Sequence, residues 1–317
     1  MKILMISTPY QPTVNIGSNG LGRLVYDYAH RASMEGDQVT VFCGEGSILP
    51  EGVRSHYWAH EPIDIGRVHN ICRKEKYDVI LDCSHLKILS NIYAYENMPV
   101  VNFMLDEECN YQPKNMLICN DHQKKRYKDY RFMIDIGIEF ERYPLIEEKE
   151  DYFCFCAKIE KRKGYDIAIE VAKRTGIKLI LAGPQVHWQP ESAEGLPNWI
   201  GEITEHEKFC KFVGAAKAIF CPSRNDAGGL VLLEAAALGT PVITTTHSGA
   251  QHHTLDGQTG FVCDSIEDMC RAVTGIENLT PKDIRNTARK KWDLQSNFAA
   301  FRNVLIQVSE EHKGANK

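Results

Sequence analysis

The residues of this 317-residue chain best placed to do chemistry are two acids and two lysines. Asp226 and Glu234 stand eight positions apart, one in a loop and one on the short apolar helix that follows it. Gly228-Gly229 lies between them. A glycine pair at a helix start lets backbone N–H groups approach a ligand where the helix dipole favours an anion. Lys158 and Lys163 bracket a second turn, Lys158-Ile159-Glu160-Lys161-Arg162-Lys163-Gly164. Two ammonium groups beside the helix start would make a positive pocket, able to hold a diphosphate and the charge that grows on it as it departs. Each stretch also has a plainer meaning: a Gly-rich strand–helix connection of any α/β protein, and a solvated lysine-rich turn. The chemistry requires both loops to lie on the same edge of one sheet.

Short apolar runs supply such a sheet. Tyr152–Ala157, Lys178–Ala182, Ala218–Cys221 and Val242–Thr246 read as strands. Tyr165–Arg174, Glu205–Ala216 and the helix closed by Gly239 alternate with them. Gly183 ends the second of these strands. Such alternation predicts a parallel sheet covered on both faces, with ligand loops at the strand carboxyl ends. The first half begins in the same way. Strand Ile3–Ser7 leads into a loop with Gly17, Gly20 and Gly22, then a helix carrying Leu24, Val25, Tyr28, Ala29 and Ala32, then strand Val39–Cys43. Its glycines do not fit G-x-G-x-x-G, and no acid closes the second strand, Glu45 being the nearest, so a dinucleotide site is weakly supported. Asp78–Asp82, Val100–Leu105, Met116–Cys119 and Phe132–Ile134 read as further strands, and Leu86–Ala94 as a helix. The loop region Glu45–Ile65 carries no readable motif.

The densely charged run Glu147–Asp151 is the natural linker. The expected division is 1–147, 148–295 and a last helix, 296–317, packing back toward the N-terminal domain. Thr280-Pro281 has the look of a capped helix start. Trp292, Phe298, Phe301, Leu305 and Val308 trace a final amphipathic helix, with a polar, frayed tail over His312–Lys317.

Composition excludes several classes. Hydrophobic residues at 43% and charged residues at 25% are those of an ordinary globular protein. A net charge of -5 gives no global positive field for phosphates, so no nucleic-acid partner is expected. The cluster Lys124-Lys125-Arg126-Tyr127-Lys128, with Arg131, is a solvated helix face or, less simply, a foothold on anionic lipid giving weak peripheral membrane contact. Eleven cysteines, an odd number with no C-x-x-C pair, argue against a disulfide framework or zinc ribbon. The apolar N-terminal run is too short for a signal peptide, and nothing approaches a membrane span. The expected location is the cytoplasm, extending to the inner face of the membrane.

Taken in order, these pieces resemble the retaining, nucleotide-sugar-dependent glycosyltransferases of family 4. Asn19-Gly20-Leu21-Gly22 to Ala29, with Gly36-Asp37-Gln38-Val39, is similar to that family's Gly-rich loop, helix and "G-H-x-V" strand. Ile136-Gly137-Ile138-Glu139 resembles its "N-G-I-D". Phe155-Cys156-Ala157-Lys158 followed by Lys163-Gly164 resembles "G-R-x(4)-K-G". Pro222-Ser223, Asp226, Glu234, Gly239 and Pro241 resemble "P-S…E-x(7)-E…G-x-P-V", the most specific of these because several typed positions fall at fixed offsets. Tyr77–Ser84 and Pro99–Asp106 are similar to two strands that line the family's cleft.

The resemblance implies a GT-B fold, two Rossmann-like parallel-sheet domains facing an interdomain cleft. It implies that Glu234 accepts hydrogen bonds from the ribose of a UDP- or GDP-sugar and that Asp226 contacts the transferred sugar. Lys158 and Lys163 would neutralise the leaving diphosphate, with backbone groups at Gly20, Gly22, Gly183, Gly228, Gly229 and Leu230 helping to hold the donor. The acceptor would be a sugar, a lipid-linked group or another hydroxyl compound, in glycan, polysaccharide or glycolipid biosynthesis. No cofactor and no metal is implied. Departures from the pattern are Asp226 for Glu, Lys158 for Arg and Ala157 for Gly. Leu81, Cys83 and Leu105 stand where the cleft histidines would, leaving His85 and Asp106 as the nearby polar candidates. His252, at a position where many relatives carry Glu, reads as a polar loop residue. A nucleotide-sugar epimerase of the same fold, and a catalytically weak relative that only binds nucleotide-sugar, are the alternatives.

Overall fold

The computed structural model describes residues 1–9, 11–15, 19–58, 65–85, 87, 98–105, 113–185 and 195–315. The chain divides into two compact units. One comprises Met1–Asn15, Leu21–Ile136 and Leu294–Lys317, the other Ile16–Gly20 and Gly137–Asp293. The charged run Glu147–Asp151 falls inside the second unit by this division, where the Glu150 N–H donates to the Ala215 carbonyl.

In the first unit the strands are β1 (Lys2–Ile6), β2 (Gln38–Cys43), β3 (Arg54–Tyr57), β4 (Val79–Asp82), β5 (Val100–Phe103), β6 (Met116–Ile118) and β7 (Phe132–Met133). They form one parallel sheet in the order β3-β2-β1-β4-β5-β6-β7. Helices α1 (Gly20–Met34), α2 (Ile65–Glu75) and α3 (Asp121–Arg126) belong to this half of the chain. β1, β4 and β5 bury nearly every side chain, as a parallel sheet covered on both faces requires. β3 escaped sequence reasoning because its residues, Arg-Ser-His-Tyr, are polar and only half-buried at the sheet edge. The expected helix over Leu86–Ala94 lies, apart from Lys87, outside the described residues.

The second unit holds β8 (Phe153–Cys156), α4 (Tyr165–Thr175), β9 (Leu179–Ala182), α5 (His206–Gly214), β10 (Ile219–Cys221), α6 (Leu230–Ala237), β11 (Val242–Thr245), β12 (Gly260–Cys263), α7 (Ile266–Gly275) and α8 (Pro281–Trp292). Its parallel sheet runs β12-β11-β10-β8-β9. β8 and β10 are therefore neighbours, and the loops leaving their carboxyl ends emerge side by side. Phe153, Phe155, Val171, Leu181 and Phe220 lie in the core beneath them.

Two readings at the end of the chain need correction. Trp292 closes α8 rather than joining the last helix, because Asp293 takes an extended conformation and α9 starts afresh at Leu294. The segment from His312 is not frayed from its start, for α9 continues to Ala315. Phe298 and Phe301 of α9 join Tyr28 and Phe103 in an aromatic cluster with ring centroids 4.5–6.4 Å apart, each buried ring contributing about 1.5–3 kcal/mol. Arg302 adds a forked bond to Asp37, both contacts at 2.9 Å. Thr280 caps α8 by accepting from the Asp283 N–H, with Pro281 in the first turn, as the sequence predicts.

Candidate functional site

The two loops that sequence reasoning could name but not join are joined in the structure. The Lys163 ammonium, in the turn after β8, lies 2.5 Å from Asp226 Oδ2 in the loop after β10, with side-chain exposures of 18% and 16%. Backbone contacts hold the loops together around that pair. The Arg224 N–H donates to the Arg162 carbonyl at 2.8 Å, and the Arg224 guanidinium grips Asp166 on α4 at 2.8 and 2.9 Å. Gly164 explains why the approach is so close. Its φ is +81°, and a Cβ there would sit 2.1 Å from the Pro222 carbonyl oxygen.

Burial alone would raise the Asp226 carboxyl, but the charge and hydrogen bond of Lys163 outweigh it and hold the acid below its ordinary value. Asp226 is therefore an anion at neutral pH and already has a cation. Its other oxygen, Oδ1, is 3.4 Å from the Gly228 N–H. Lys158, two residues past β8, makes no side-chain hydrogen bond or ion pair among the described residues. Among the described residues the two lysines are thus unequal: Lys163 is neutralised and Lys158 is not. Gly183 follows β9 and seats its backbone against the Ala157 carbonyl, where a Cβ would come within 1.8 Å. Trp199 Nε1 donates to the Gly183 carbonyl at 3.0 Å.

Gly229 is the N-terminal cap of α6, and Leu230 is the helix's first residue. The helix LVLLEAAA is apolar except for Glu234, which is 2% exposed. A carboxylate so deeply placed needs polar partners. One is the Tyr143 hydroxyl, which donates to Glu234 Oε1 at 2.9 Å. Tyr143 is held in turn by the edge of His206, with ring centroids 5.2 Å apart, and Arg285 donates to the carbonyls of Tyr143, Ala237 and Phe140.

The turn Gly249–His253 after β11 supports the Asp226–Gly229 loop from behind. The Gly249 N–H donates to the Asp226 carbonyl at 2.7 Å, and the wholly buried His253 bonds the Gly228 carbonyl through Nδ1. Tyr143 and His253 were not found by sequence reasoning, because each is a single residue outside any spaced motif. Both reveal themselves only through the carboxylate and the carbonyl they bond.

The other predicted residues stand as follows. Gly20 and Gly22 are in the first turn of α1, and a Cβ on Gly20 would lie 3.5 Å from Leu230 Cδ1 at the start of α6. His85 is exposed in the turn after β4, where Asp82 accepts from the Ser84 N–H at 2.9 Å. Asp106 lies outside the described residues. Leu105 follows β5 and is half-buried. Among the described residues no cluster of three His, Cys, Asp or Glu side chains comes together, and no helix is long and apolar enough to cross a membrane.

Residues 138–291 match the family described as "Glycosyl transferases group 1". The glycogen synthase of Mycobacterium tuberculosis is 29% identical over 143 residues, 40% of this chain and 34% of its own length. A D-inositol 3-phosphate glycosyltransferase of Mycobacterium avium is 24% identical over 189 residues, 52% of this chain and 45% of its own. The matched stretches thus span less than half the length of these relatives. Solved structures resemble the whole chain. AviGT4, a glycosyltransferase involved in avilamycin A biosynthesis, superposes with a TM-score of 0.78 at 18% identity, covering 98% of each chain. Sucrose-phosphate synthase from Thermosynechococcus elongatus gives 0.78 at 14% identity over 99% of each chain. Anabaena Alr3699/HepE in complex with UDP-glucose gives 0.73 at 15% identity, covering 99% of this chain and 100% of that one. At these identities the likeness is one of fold, and that fold is GT-B.

Proposed function

We propose that this chain is a metal-independent, retaining glycosyltransferase of family 4 that moves a sugar from a UDP- or GDP-sugar to an acceptor hydroxyl. The observation that carries the reading is the meeting of the Lys163 loop with Asp226 at the Gly228-Gly229 start of α6. A cation, a carboxylate and a helix start converge there, the parts needed for a diphosphate leaving group and the hydroxyls of its sugar. The group 1 match over this segment and the UDP-glucose bound by a protein of the same fold support the same reading.

On this reading Glu234, steadied by Tyr143, accepts the ribose hydroxyls, and Asp226 faces hydroxyls of the sugar. Lys158, Lys163 and the N–H groups at Gly229 and Leu230 take the diphosphate. The bond from the anomeric carbon to the phosphate oxygen breaks and the diphosphate leaves with the electron pair. The acceptor oxygen bonds the same carbon on the same face, and its proton passes to the departing phosphate oxygen. The cations and the helix start take the part that a metal plays elsewhere. The acceptor belongs to glycan, polysaccharide or glycolipid biosynthesis.

The test is a panel of UDP- and GDP-sugars, read by thermal shift and by release of UDP or GDP with acceptor mixtures. Stabilisation by one nucleotide series is expected, since a ligand bound only by the folded state raises the melting temperature. A melting temperature indifferent to every donor and to both free nucleotides would sink the proposal.

A further inference from the structure

We propose that His253 is a positioning residue that turns the Gly228–Gly229 peptide so that its N–H faces the donor's diphosphate. The inference rests on the donor-site reading above and adds to it a side chain from a different loop. His253 is 0% exposed and sits at the end of the turn Gly249–His253. Its Nδ1 bonds the Gly228 carbonyl oxygen. A carbonyl can only accept, so Nδ1 carries the proton and donates.

The consequence follows from peptide geometry. In a planar trans peptide the carbonyl and the following N–H point in opposite directions. With the Gly228 oxygen drawn toward His253, the Gly229 N–H must point the other way. That N–H has no hydrogen-bond partner among the described residues. It precedes the first N–H groups of α6, which no intrahelical carbonyl can satisfy. Fixing one peptide from behind therefore adds a donor to those that the helix start already offers.

Neighbouring contacts leave the peptide little freedom to choose otherwise. A Cβ on Gly228 would lie 3.4 Å from His253 Cε1, so the imidazole is packed against the turn as well as bonded to it. The Gly249 N–H holds the Asp226 carbonyl at 2.7 Å, and a Cβ on Gly229 would meet the Ala250 Cβ at 3.4 Å. Trp292 packs against the imidazole in a T-shaped arrangement, with ring centroids 6.1 Å apart. The His253 bond to the Gly228 carbonyl is made by a side chain, so a substitution can remove it while the backbone stays intact.

The experiment compares His253→Phe, which keeps an aromatic ring and loses the donor, with His253→Asn, whose amide N–H can reach a similar place. Calorimetric titration with UDP and GDP is set against titration with uridine and guanosine, which lack the diphosphate. The phenylalanine variant should lose about tenfold or more in affinity for the diphosphate it shares with the donor, the worth of one charge-assisted hydrogen bond. Its nucleoside affinity should not move, and the asparagine variant should stay within about threefold of wild type on the same scale. Equal losses for UDP and uridine, or an asparagine variant as weak as the phenylalanine one, would show a packing role and overturn the proposal. Should the phenylalanine variant fail to fold, His253→Leu gives the same comparison. Wild-type protein that binds neither UDP nor GDP overturns the donor-site reading itself. Wild-type binding with an unaffected phenylalanine variant overturns only the role of His253.

Discussion

Replacing Asp226 with asparagine removes one negative charge 2.5 Å from the Lys163 ammonium and changes almost nothing in shape. On the donor reading the two halves of the reaction should then respond in opposite directions. In the free protein Lys163 is engaged by Asp226, so a diphosphate must draw the ammonium from the carboxylate while the carboxylate repels it. Asparagine abolishes both penalties. With side-chain exposures of 18% and 16%, the pair falls between surface ion pairs, worth about 0.2–1 kcal/mol, and buried pairs whose disruption costs about 3–5 kcal/mol. An intermediate figure of about 1–2 kcal/mol means UDP or GDP binding roughly 5- to 30-fold tighter in the variant. The lower end is favoured because an ammonium has three N–H donors and need not abandon the carboxylate entirely. Transfer should nonetheless fall by about a hundredfold or more, since the group facing the sugar has lost its charge. Calorimetric titration at fixed ionic strength, beside a donor-turnover assay, reads both numbers. Nucleotide affinity that stays level or drops in Asp226→Asn would refute the assignment of Lys163 to the diphosphate.

Other consequences can be checked independently. Tyr143→Phe deprives the buried Glu234 of a hydrogen bond and should cost about 1–3 kcal/mol of stability together with several-fold in nucleotide affinity, read by urea unfolding and titration. Gly164→Ala places a methyl group against the Pro222 carbonyl at φ +81° and should destabilise by more than about 2 kcal/mol, visible as a lowered unfolding midpoint. Acid should weaken the first unit through Glu75. Burial opposes its ionisation, but His56, Tyr77, Arg54 and Lys2 together bring its pKa down to about 2. A folded value below the unfolded one gives stability that is present above the ordinary pKa and lost as pH falls from there toward about 2. After solvent screening this amounts to about 1 kcal/mol, and Glu75→Gln should flatten unfolding free energy against pH over that interval.

Legibility in the sequence followed burial and locality. The strands β1, β4, β8 and β10 were readable because parallel strands covered on both faces appear as bare apolar runs. The α8 start was readable because Thr280-Pro281 is a purely local signal. β3 was not, since an edge strand of Arg-Ser-His-Tyr has no such run. At the candidate site the residue types Lys158, Lys163, Asp226 and Glu234 were visible from spacing, but their pairing was not. That Lys163 meets Asp226 across 63 positions depends on β8 and β10 being adjacent, a property of the sheet order. Tyr143 was hidden for the same reason, 91 positions from the carboxylate it bonds.

The bonds around Asp226–Gly229 separate into two kinds, and the separation bears on how the site would work. Bonds to backbone carbonyls fix the loop's path: the Gly249 N–H on the Asp226 carbonyl, the Arg224 N–H on the Arg162 carbonyl, and the His253 imidazole on the Gly228 carbonyl. A ligand arriving at the N–H side of α6 has no reason to break any of them. The Lys163–Asp226 bond is different, because it joins two side chains that a diphosphate and a sugar would each compete for. Donor binding should thus exchange one side-chain ion pair within an otherwise preformed loop. The Asp226 arm, one methylene shorter than the glutamate of the family it resembles, meets Lys163 at 2.5 Å, and on the donor reading that pair would stay made until the donor arrives. On the donor reading Lys158, unpaired among the described residues, would supply the charge that attracts an anion in the first place.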